Sequence, residues 1–279
     1  MSNTVLLIGS SGYIGRHFIK FSKNKIEVKG SHKFLNKKKR IIDILNFKEL
    51  IDFVKKNKSI KSIVNLSGQY GKNFKKISLT GNKNLIEIAK TYNLNIIFLS
   101  STLVYGDKKG YSNEKTIANP KNNYSKIKLL TEKLYLKSKV NYTIIRLSNV
   151  YDDSFVKKGL LKNIKESFQH HKKFKCDDLN RVRNFIHIND FNNLLLKILK
   201  SPKKFNKKII NFSSQNFKIK ELVNFFSDKY RYKINTIKIP IKKSENFDNF
   251  IDNKLLIRLT KYKKFTKLEN VIKNIKNYE

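Results

Sequence analysis

A tyrosine and a lysine four residues apart are the first candidates for proton chemistry in this sequence. Tyr124 and Lys128 lie in a stretch whose apolar spacing predicts a helix over Tyr124–Leu136, which places both side chains on one face. A free tyrosine has a pKa of about 10 and is a poor acid–base catalyst at neutral pH. A nearby ammonium group favours the phenolate, so we expect Lys128 to lower the pKa of Tyr124. The spacing alone is weak support, because a lysine-rich chain forms such pairs on solvated helix faces by chance.

Hydroxyl side chains end the predicted strand Asn95–Ser100. Ser101 and Thr102 follow it directly, at the carboxyl edge where parallel sheets bind ligands. A hydroxyl there can hydrogen-bond a substrate carbonyl or alkoxide and share its proton with Tyr124. In isolation, Ser and Thr at a strand end more often serve as caps. Together these residues predict a catalytic set of Ser101, Tyr124 and Lys128, with Ser101 and Thr102 contacting the substrate.

A glycine-rich turn separates the first predicted strand, Val5–Ile8, from the first predicted helix, Ile14–Ser22. Its three glycines suit a tight turn, a close approach of the backbone to a pyrophosphate, and close packing of the helix on the strand. The helix N-terminus would then offer free N–H groups to the phosphates. The turn therefore predicts a dinucleotide site formed by Gly9, Ser11, Gly12, Tyr13, Ile14 and Gly15.

The end of the second predicted strand, Ile26–Val28, bears on the choice between NAD and NADP. An acidic residue at this point binds the ribose 2′-hydroxyl, whereas basic or small polar residues admit a 2′-phosphate. Ser31 and His32 lie here, and no carboxylate follows Glu27 in this loop. We therefore expect NADP(H) to be slightly favoured over NAD(H), although any loop in a lysine-rich chain would be basic.

Strand-length apolar runs alternate with helical segments over the first half of the chain, which is the pattern of a parallel sheet with crossover helices. After residue 150 the alternation weakens. The predicted fold is α/β, a Rossmann-type doubly wound parallel sheet with a smaller C-terminal α/β substrate lobe. We expect a dinucleotide-binding domain with the catalytic residues over 1–150 and the lobe over 151–279, with the segment near 183–200 packing back on the first domain.

The remaining predicted elements follow from the same patterns. The strands are Ile41–Ile42, Ser62–Leu66, Tyr142–Leu147 and short segments near 184–188 and 208–212. The helices are Phe47–Lys56, Asn82–Thr91 and segments near 157–170, 190–200 and 218–229.

The formal net charge of +40 is the most unusual global property of the chain. Clustered basic residues would indicate a nucleic-acid or anionic-membrane surface. Here they are mostly lysines spread along the sequence, together with much Asn, Ile and Phe, which favours a compositional origin. We therefore expect no specific nucleic-acid partner.

Other global features limit the compartment and the chemistry. The chain has one cysteine, Cys176, and apolar runs far shorter than the roughly 20 residues of a membrane span. We expect a cytoplasmic protein without membrane insertion. The adjacent pair His170-His171 lacks neighbouring ligands at helical spacing, so we expect no metal site.

Taken in order, these motifs resemble the extended short-chain dehydrogenase/reductase family of nucleotide-sugar epimerases, dehydratases and reductases. The likeness covers most of the chain and rests on matching segments at Gly9–Gly15, Asp43-Ile44, Asn65–Gly68, Ser100–Gly106, Tyr124/Lys128, Arg146–Tyr151, Val182–Asp190 and Ile210–Ser214. The resemblance adds site residues to those above. It implies cofactor contacts at Asp43, Ile44, Leu66, Ser67 and Gly68, and nucleotide-sugar contacts at Asn149 and Arg183.

The resemblance implies hydride transfer to or from a nucleotide-diphospho-sugar. Family dehydratases carry Thr-Asp-Glu where this chain has Ser101-Thr102-Leu103, so a 4,6-dehydratase is not expected. The short chain and the second strand favour a 4-keto-sugar reductase in deoxysugar or surface-polysaccharide synthesis. A 4-epimerase that retains NAD is a close alternative, and a non-catalytic dinucleotide- or nucleic-acid-binding protein is a second one. A homodimer would fit the family.

Overall fold

The structure is a computed structural model that describes residues 4–30, 42–68, 73–108, 110–155, 159–240 and 248–275. Its strands are β1 (Thr4–Ile8), β2 (Val28–Gly30), β3 (Ile60–Asn65), β4 (Asn95–Ser101), β5 (Tyr111–Ser112), β6 (Asn141–Leu147), β7 (Asn149–Tyr151), β8 (Phe174–Cys176), β9 (Val182–His187), β10 (Lys208–Phe212), β11 (Gln215–Lys218), β12 (Thr236–Lys238) and β13 (Phe250–Ile251). Its helices are α1 (Tyr13–Ser22), α2 (Phe47–Lys56), α3 (Phe74–Lys76), α4 (Asn82–Tyr92), α5 (Asn123–Lys137), α6 (Leu160–Gln169), α7 (Ile188–Lys200), α8 (Pro202–Phe205), α9 (Ile219–Tyr230), α10 (Lys254–Thr260) and α11 (Leu268–Lys273).

The described residues form a six-stranded parallel sheet in the order β10-β6-β4-β3-β1-β2. Its central strands are continuous apolar runs because both faces are covered by helices. On one face, Val5 and Leu7 pack with Phe18 of α1 and Phe191 of α7. On the other face, Leu6 and Ile8 belong to a cluster that includes residues of α2, α4 and α5. This is the doubly wound arrangement that the sequence predicts.

The elements after β6 build a second region beside the carboxyl edge of the sheet. Strands β7, β9 and β11 form a small sheet, and α6, α9 and α11 enclose an aromatic-rich core around Phe168 and Phe226. The chain also returns to the main sheet, since β10 pairs with β6 and α7 packs on α1. The predicted division at residue 150 stays a prediction.

One predicted strand is wrong within the described residues. Ile42 is buried but belongs to no strand, and Ile41 lies outside the described residues. The apolar side chain of Ile42 is therefore explained by its burial, and it does not indicate a strand. Beyond β1, the described sheet ends at β2, whose three residues pair with β1.

Candidate active site

The carboxyl ends of β1, β3, β4 and β6 open on one cavity of about 330 Å³. Because parallel strands end at the same edge, residues far apart in the sequence meet there. The predicted site residues that line the cavity are Gly9, Gly12, Tyr13, Ile14, Gly15, Leu66, Ser67, Gly68, Ser101, Thr102, Tyr124, Lys128 and Asn149.

The glycine turn fits its predicted role in two respects. Gly9 has a φ of +79°, and a Cβ at Gly15 would lie 2.5 Å from the Gly9 carbonyl oxygen, so both positions require glycine. Gly12 occupies the N-cap position of α1 and has no side chain with which to cap the helix. A helix N-terminus without a side-chain cap is a suitable site for a phosphate at the cavity wall.

The segment after β3 is held by the buried side chain of Asn65. Its Oδ1 accepts hydrogen bonds from the Ser67 backbone N–H (3.0 Å) and hydroxyl (2.6 Å), while its Nδ2 donates to Asn82 Oδ1 (2.9 Å). Gly68 follows with a φ of +98°. These bonds hold Leu66, Ser67 and Gly68 in a backbone path along the cavity.

Ser101 serves both as a cap and as a lining residue. Its Oγ accepts a hydrogen bond from the Leu103 N–H (3.2 Å) at the start of a 3₁₀ turn over Thr102–Tyr105. Ser101 nevertheless lines the cavity together with Thr102 and Leu103. Neither of the two residues that follow Ser101 along this wall is acidic.

Tyr124 and Lys128 lie one turn apart on α5 and both line the cavity. The Tyr124 ring stacks on Phe74 with 5.2 Å between ring centroids. The Lys128 Nζ donates to the Leu99 carbonyl oxygen at 2.7 Å and lies 5.8 Å from the Tyr124 ring centroid. The lysine is therefore anchored to β4 and not to the phenol.

The pKa values of this pair differ from the sequence prediction. Burial raises the pKa of Tyr124 to about 12. Burial also lowers the pKa of Lys128 to about 8, against an opposing effect of the Glu132 charge. The expectation that Lys128 lowers the pKa of Tyr124 is thus not met in this structure, because desolvation acts on both groups and the lysine contacts a carbonyl oxygen instead.

Glu132 is a buried residue of this region that the sequence analysis did not identify. Its carboxylate accepts a 2.5 Å hydrogen bond from the Ser100 hydroxyl and two from Arg146, at 3.1 Å from Nε and 2.7 Å from Nη2. Glu132 is fully buried. A signal was available, since Tyr124, Lys128 and Glu132 recur at four-residue spacing on one helix of a chain poor in carboxylates.

Four predicted contacts do not line this cavity: Ser11, Asp43, Ile44 and Arg183. Asp43 is exposed and accepts a hydrogen bond from the Leu45 N–H, and Ile44 is buried against Gly81. The Arg183 guanidinium donates to the Val182 carbonyl oxygen, and burial lowers its pKa. Their ligand-binding roles stay predictions. Ser31 and His32 lie outside the described residues.

A smaller cavity of about 70 Å³ adjoins the first at Asn149 and Val150. Asp152 and Phe155 also line it. The Tyr13 phenol donates a 2.8 Å hydrogen bond to Asp152 Oδ2, which joins the glycine turn to this segment. Asp152 is a second residue that the sequence analysis did not single out.

Across the part of the chain that the structure describes, no three His, Cys, Asp or Glu side chains cluster in a way that could hold a metal ion. The same part of the chain contains no helix with the length and apolar character that spanning a membrane requires.

Comparison with known proteins gives a consistent family assignment. The family described as NAD dependent epimerase/dehydratase matches residues 5–212. Curated protein sequences provide no significant match. Solved structures match over nearly the whole chain at low sequence identity, which establishes the similarity of fold.

Three solved structures illustrate the range. The dTDP-glucose 4,6-dehydratase of Bacillus anthracis, in complex with NAD, has a TM-score of 0.83 and 17% identity, with 98% of this chain and 95% of that chain covered. The UDP-glucuronic acid 4-epimerase of Bacillus cereus, in complex with UDP-glucuronic acid and NAD, has a TM-score of 0.83 and 19% identity, with coverage of 98% and 97%. The L-threonine 3-dehydrogenase of Trypanosoma brucei has a TM-score of 0.84 and 19% identity, with coverage of 99% and 96%.

Proposed function

The chain belongs to the NAD dependent epimerase/dehydratase family, and on that premise we propose that it transfers hydride between a nicotinamide dinucleotide and a carbon of a nucleotide-diphospho-sugar. One observation carries the proposal: the glycine turn and the side chains of Ser101, Tyr124 and Lys128 line the same cavity. A binding protein without catalysis has no need of this set beside its cofactor cradle.

The residues have separate roles in this proposal. When bound, the dinucleotide supplies the hydride acceptor or donor. The Tyr124 phenol moves a proton to or from the substrate oxygen, and the Ser101 hydroxyl polarises that oxygen by a hydrogen bond. Lys128, held by the Leu99 carbonyl oxygen, would bind the nicotinamide ribose. Asn149 and Thr102 contact the sugar nucleotide, and Arg183 is proposed to reach its diphosphate.

The reaction subtype separates two candidates within this proposal. A 4-keto-sugar reductase is favoured by the loop after the second predicted strand, where no carboxylate follows Glu27. The absence of an acid pair after Ser101, where Thr102 and Leu103 stand instead, argues only against a 4,6-dehydratase. A 4-epimerase is supported to the same degree by the fold it shares with the UDP-glucuronic acid 4-epimerase. The slight preference for NADP(H) stays a prediction, and the family description and the NAD complexes support NAD(H).

We further propose a cytoplasmic homodimer without a specific nucleic-acid partner. The single cysteine supports a reducing compartment. Dimer formation is measured by analytical ultracentrifugation. Nucleic-acid affinity that persists at raised salt would instead favour the binding-protein alternative for this +40 chain.

The test starts from the dinucleotide. Purified protein is denatured, any released dinucleotide is identified, and emptied protein is titrated with NADH and NADPH. Tightly held NAD⁺ near one per chain supports the epimerase, and an empty protein that binds NADPH supports the reductase. Binding of neither overturns the enzyme proposal. Turnover of L-threonine, with none of UDP- or dTDP-linked 4-keto sugars, overturns the proposed substrate class.

Tyr124→Phe is the variant that tests catalysis itself. Loss of the phenolic hydroxyl removes the proposed proton donor, so we expect kcat to fall by about 10²–10⁴-fold. Dinucleotide affinity should change much less, because the ring remains. An unchanged kcat would remove Tyr124 from the proposed catalytic set.

A further inference from the structure

Three charged side chains are buried at the candidate cavity: Lys128 lines it, and Glu132 and Arg146 lie outside its lining. Lys128, Glu132 and Arg146 are 3%, 0% and 4% exposed. Burying a charge is costly unless it is paired and hydrogen-bonded. Glu132 provides the pairing, since it accepts two hydrogen bonds from Arg146 and lies one helical turn beyond Lys128. The two buried cations therefore share one carboxylate, that of Glu132.

Glu132 also connects three elements of secondary structure. It belongs to α5, and its carboxylate contacts Ser100 of β4 and Arg146 of β6. Ser100 and Arg146 are register partners in the parallel pairing of these strands. A single side chain thus attaches the helix to two adjacent strands at the same level of the sheet.

Two successive residues of β4 contact α5, and the next one lines the cavity. The Leu99 carbonyl oxygen accepts from Lys128, the Ser100 hydroxyl donates to Glu132, and Ser101 lines the cavity. The relative position of Ser101 and of the helix that carries Tyr124 and Lys128 therefore depends on contacts made one and two residues before Ser101.

We propose that Glu132 is a positioning residue that locks α5, and with it Tyr124 and Lys128, onto the strand that carries Ser101. It does not line the cavity and acts through Lys128 and Ser100. This inference rests on the proposed function, because the positioned groups are the proposed catalytic set.

The charge of Glu132 has a second consequence for Lys128. The groups that face the ammonium are Glu132 and Tyr124 on α5, the Phe98 ring and Leu99 carbonyl on β4, and, through Glu132, Arg146 on β6. Burial lowers the pKa of Lys128 and the Glu132 carboxylate raises it. Loss of this carboxylate therefore shifts the pKa of Lys128 further down and leaves less of the ammonium form at neutral pH.

The test measures NADH and NADPH affinity of the full-length protein from pH 6 to pH 10. Wild-type affinity should fall as pH rises through the pKa of Lys128. In Glu132→Gln the fall should move to lower pH by about one unit, which is about a fivefold loss of affinity at pH 8 and about tenfold from pH 9 upwards. Glu114→Gln is the control, because Glu114 is a half-buried carboxylate that accepts a hydrogen bond from the Asn211 N–H and whose charge acts on Arg146 but not on Lys128.

A second variant tests positioning without altering charge. Ser100→Ala removes the contact with β4 but keeps the Glu132–Arg146 ion pair, so it should fold. We expect kcat to fall several-fold while the pH dependence of dinucleotide affinity stays that of wild type. If Glu132→Gln matches Glu114→Gln in its pH profile, or Ser100→Ala leaves kcat unchanged, the inference is overturned. A wild-type protein that binds neither dinucleotide overturns the proposed function instead, and the two failures are thereby distinguished.

Discussion

Two carboxylates contact residues in two different walls of the candidate cavity, and the two have different kinds of partner. On the wall formed by α5, Glu132 is paired with the guanidinium of Arg146 and with the Ser100 hydroxyl. On the wall formed by the glycine turn, Asp152 accepts hydrogen bonds from the Tyr13 phenol at 2.8 Å and from the following loop. The first carboxylate faces buried cations, and the second faces mostly neutral donors.

This difference determines which neighbouring groups lose their partner when each carboxylate is removed. Burial opposes the charge of Arg146, but the hydrogen bonds and charge of Glu132 outweigh it and raise the pKa of the guanidinium. Burial likewise opposes the charge of Asp152, and hydrogen bonds from Ser154, Tyr13 and Phe155 outweigh it, so the pKa of this carboxyl is lowered. Loss of Glu132 leaves the buried charges of Arg146 and Lys128 without their carboxylate, whereas loss of Asp152 removes the acceptor of neutral hydrogen-bond donors.

Glu132→Leu should have the largest effect on stability. It leaves the Arg146 guanidinium and the Lys128 ammonium buried without their carboxylate, so we expect a loss of about 3–5 kcal/mol in the free energy of unfolding. Urea unfolding followed by circular dichroism measures it. The control is Glu132→Leu with Arg146→Met, which should recover part of the loss, because one stranded cation is gone. A double variant no more stable than Glu132→Leu alone would show that the unpaired Arg146 guanidinium does not cause the loss of stability.

Features that depend on residues close together in the sequence were predictable, and features that depend on contacts between distant residues were not. The turn from β1 to α1 was predictable because its glycines and the strand and helix it joins are local in the sequence. Tyr124 and Lys128 were predictable because four-residue spacing on a helix is local too. The contacts of Glu132 with Ser100 and Arg146 depend on which strands are neighbours in the sheet, and this order cannot be read from periodicity.

Chain segments without regular periodicity were harder to interpret. Asp152 follows a three-residue strand, and its contact with Tyr13 spans 139 positions of sequence. The direction of the pKa shift of Tyr124 was also missed, because it depends on burial by neighbours such as Phe74, which stacks on the ring. Burial is a tertiary property that the spacing of Tyr124 and Lys128 does not contain.

Asp152→Ala should have the next largest effect. Asp152 Oδ1 accepts from the Ser154 N–H and hydroxyl and from the Phe155 N–H, and Phe155 adopts a left-handed φ of +51°. Removing the carboxylate leaves the N–H of the buried Phe155 without its acceptor and takes away the acceptor of the Tyr13 phenol, whereas Ser154 is exposed to water. We therefore expect a loss of about 2–3 kcal/mol in the free energy of unfolding. Asp152→Asn keeps an acceptor oxygen and should lose less. Equal losses in the two variants would show that charge, not hydrogen bonding, dominates this wall.

Acid unfolding tests the contribution of the ionised Asp152 carboxylate to stability, and the expected effect is smaller. The folded-state pKa of Asp152 is lowered, so its contribution to stability is present above the unfolded pKa of about 3.9 and is lost as pH falls through the folded value. Between about pH 4 and pH 2, wild type should therefore lose stability more steeply than Asp152→Asn. Urea midpoints measured across this range test the slope. Parallel curves would exclude Asp152 as a contributor.

Tyr13→Phe should have the smallest effect, because it removes one hydrogen bond and keeps the ring. The phenol is the link between the glycine turn and the loop after β7, and burial with the Asp152 contact raises its pKa, so it stays protonated as a donor. Asp152 Oδ1 retains its three loop contacts in the variant. We therefore expect a loss of only about 1–2 kcal/mol in the free energy of unfolding. In an Asp152→Ala background the same substitution should cost almost nothing, because the acceptor is already gone. Additive losses in this double-mutant cycle would mean that the two residues stabilise the walls independently, and that the glycine turn is not held through Asp152.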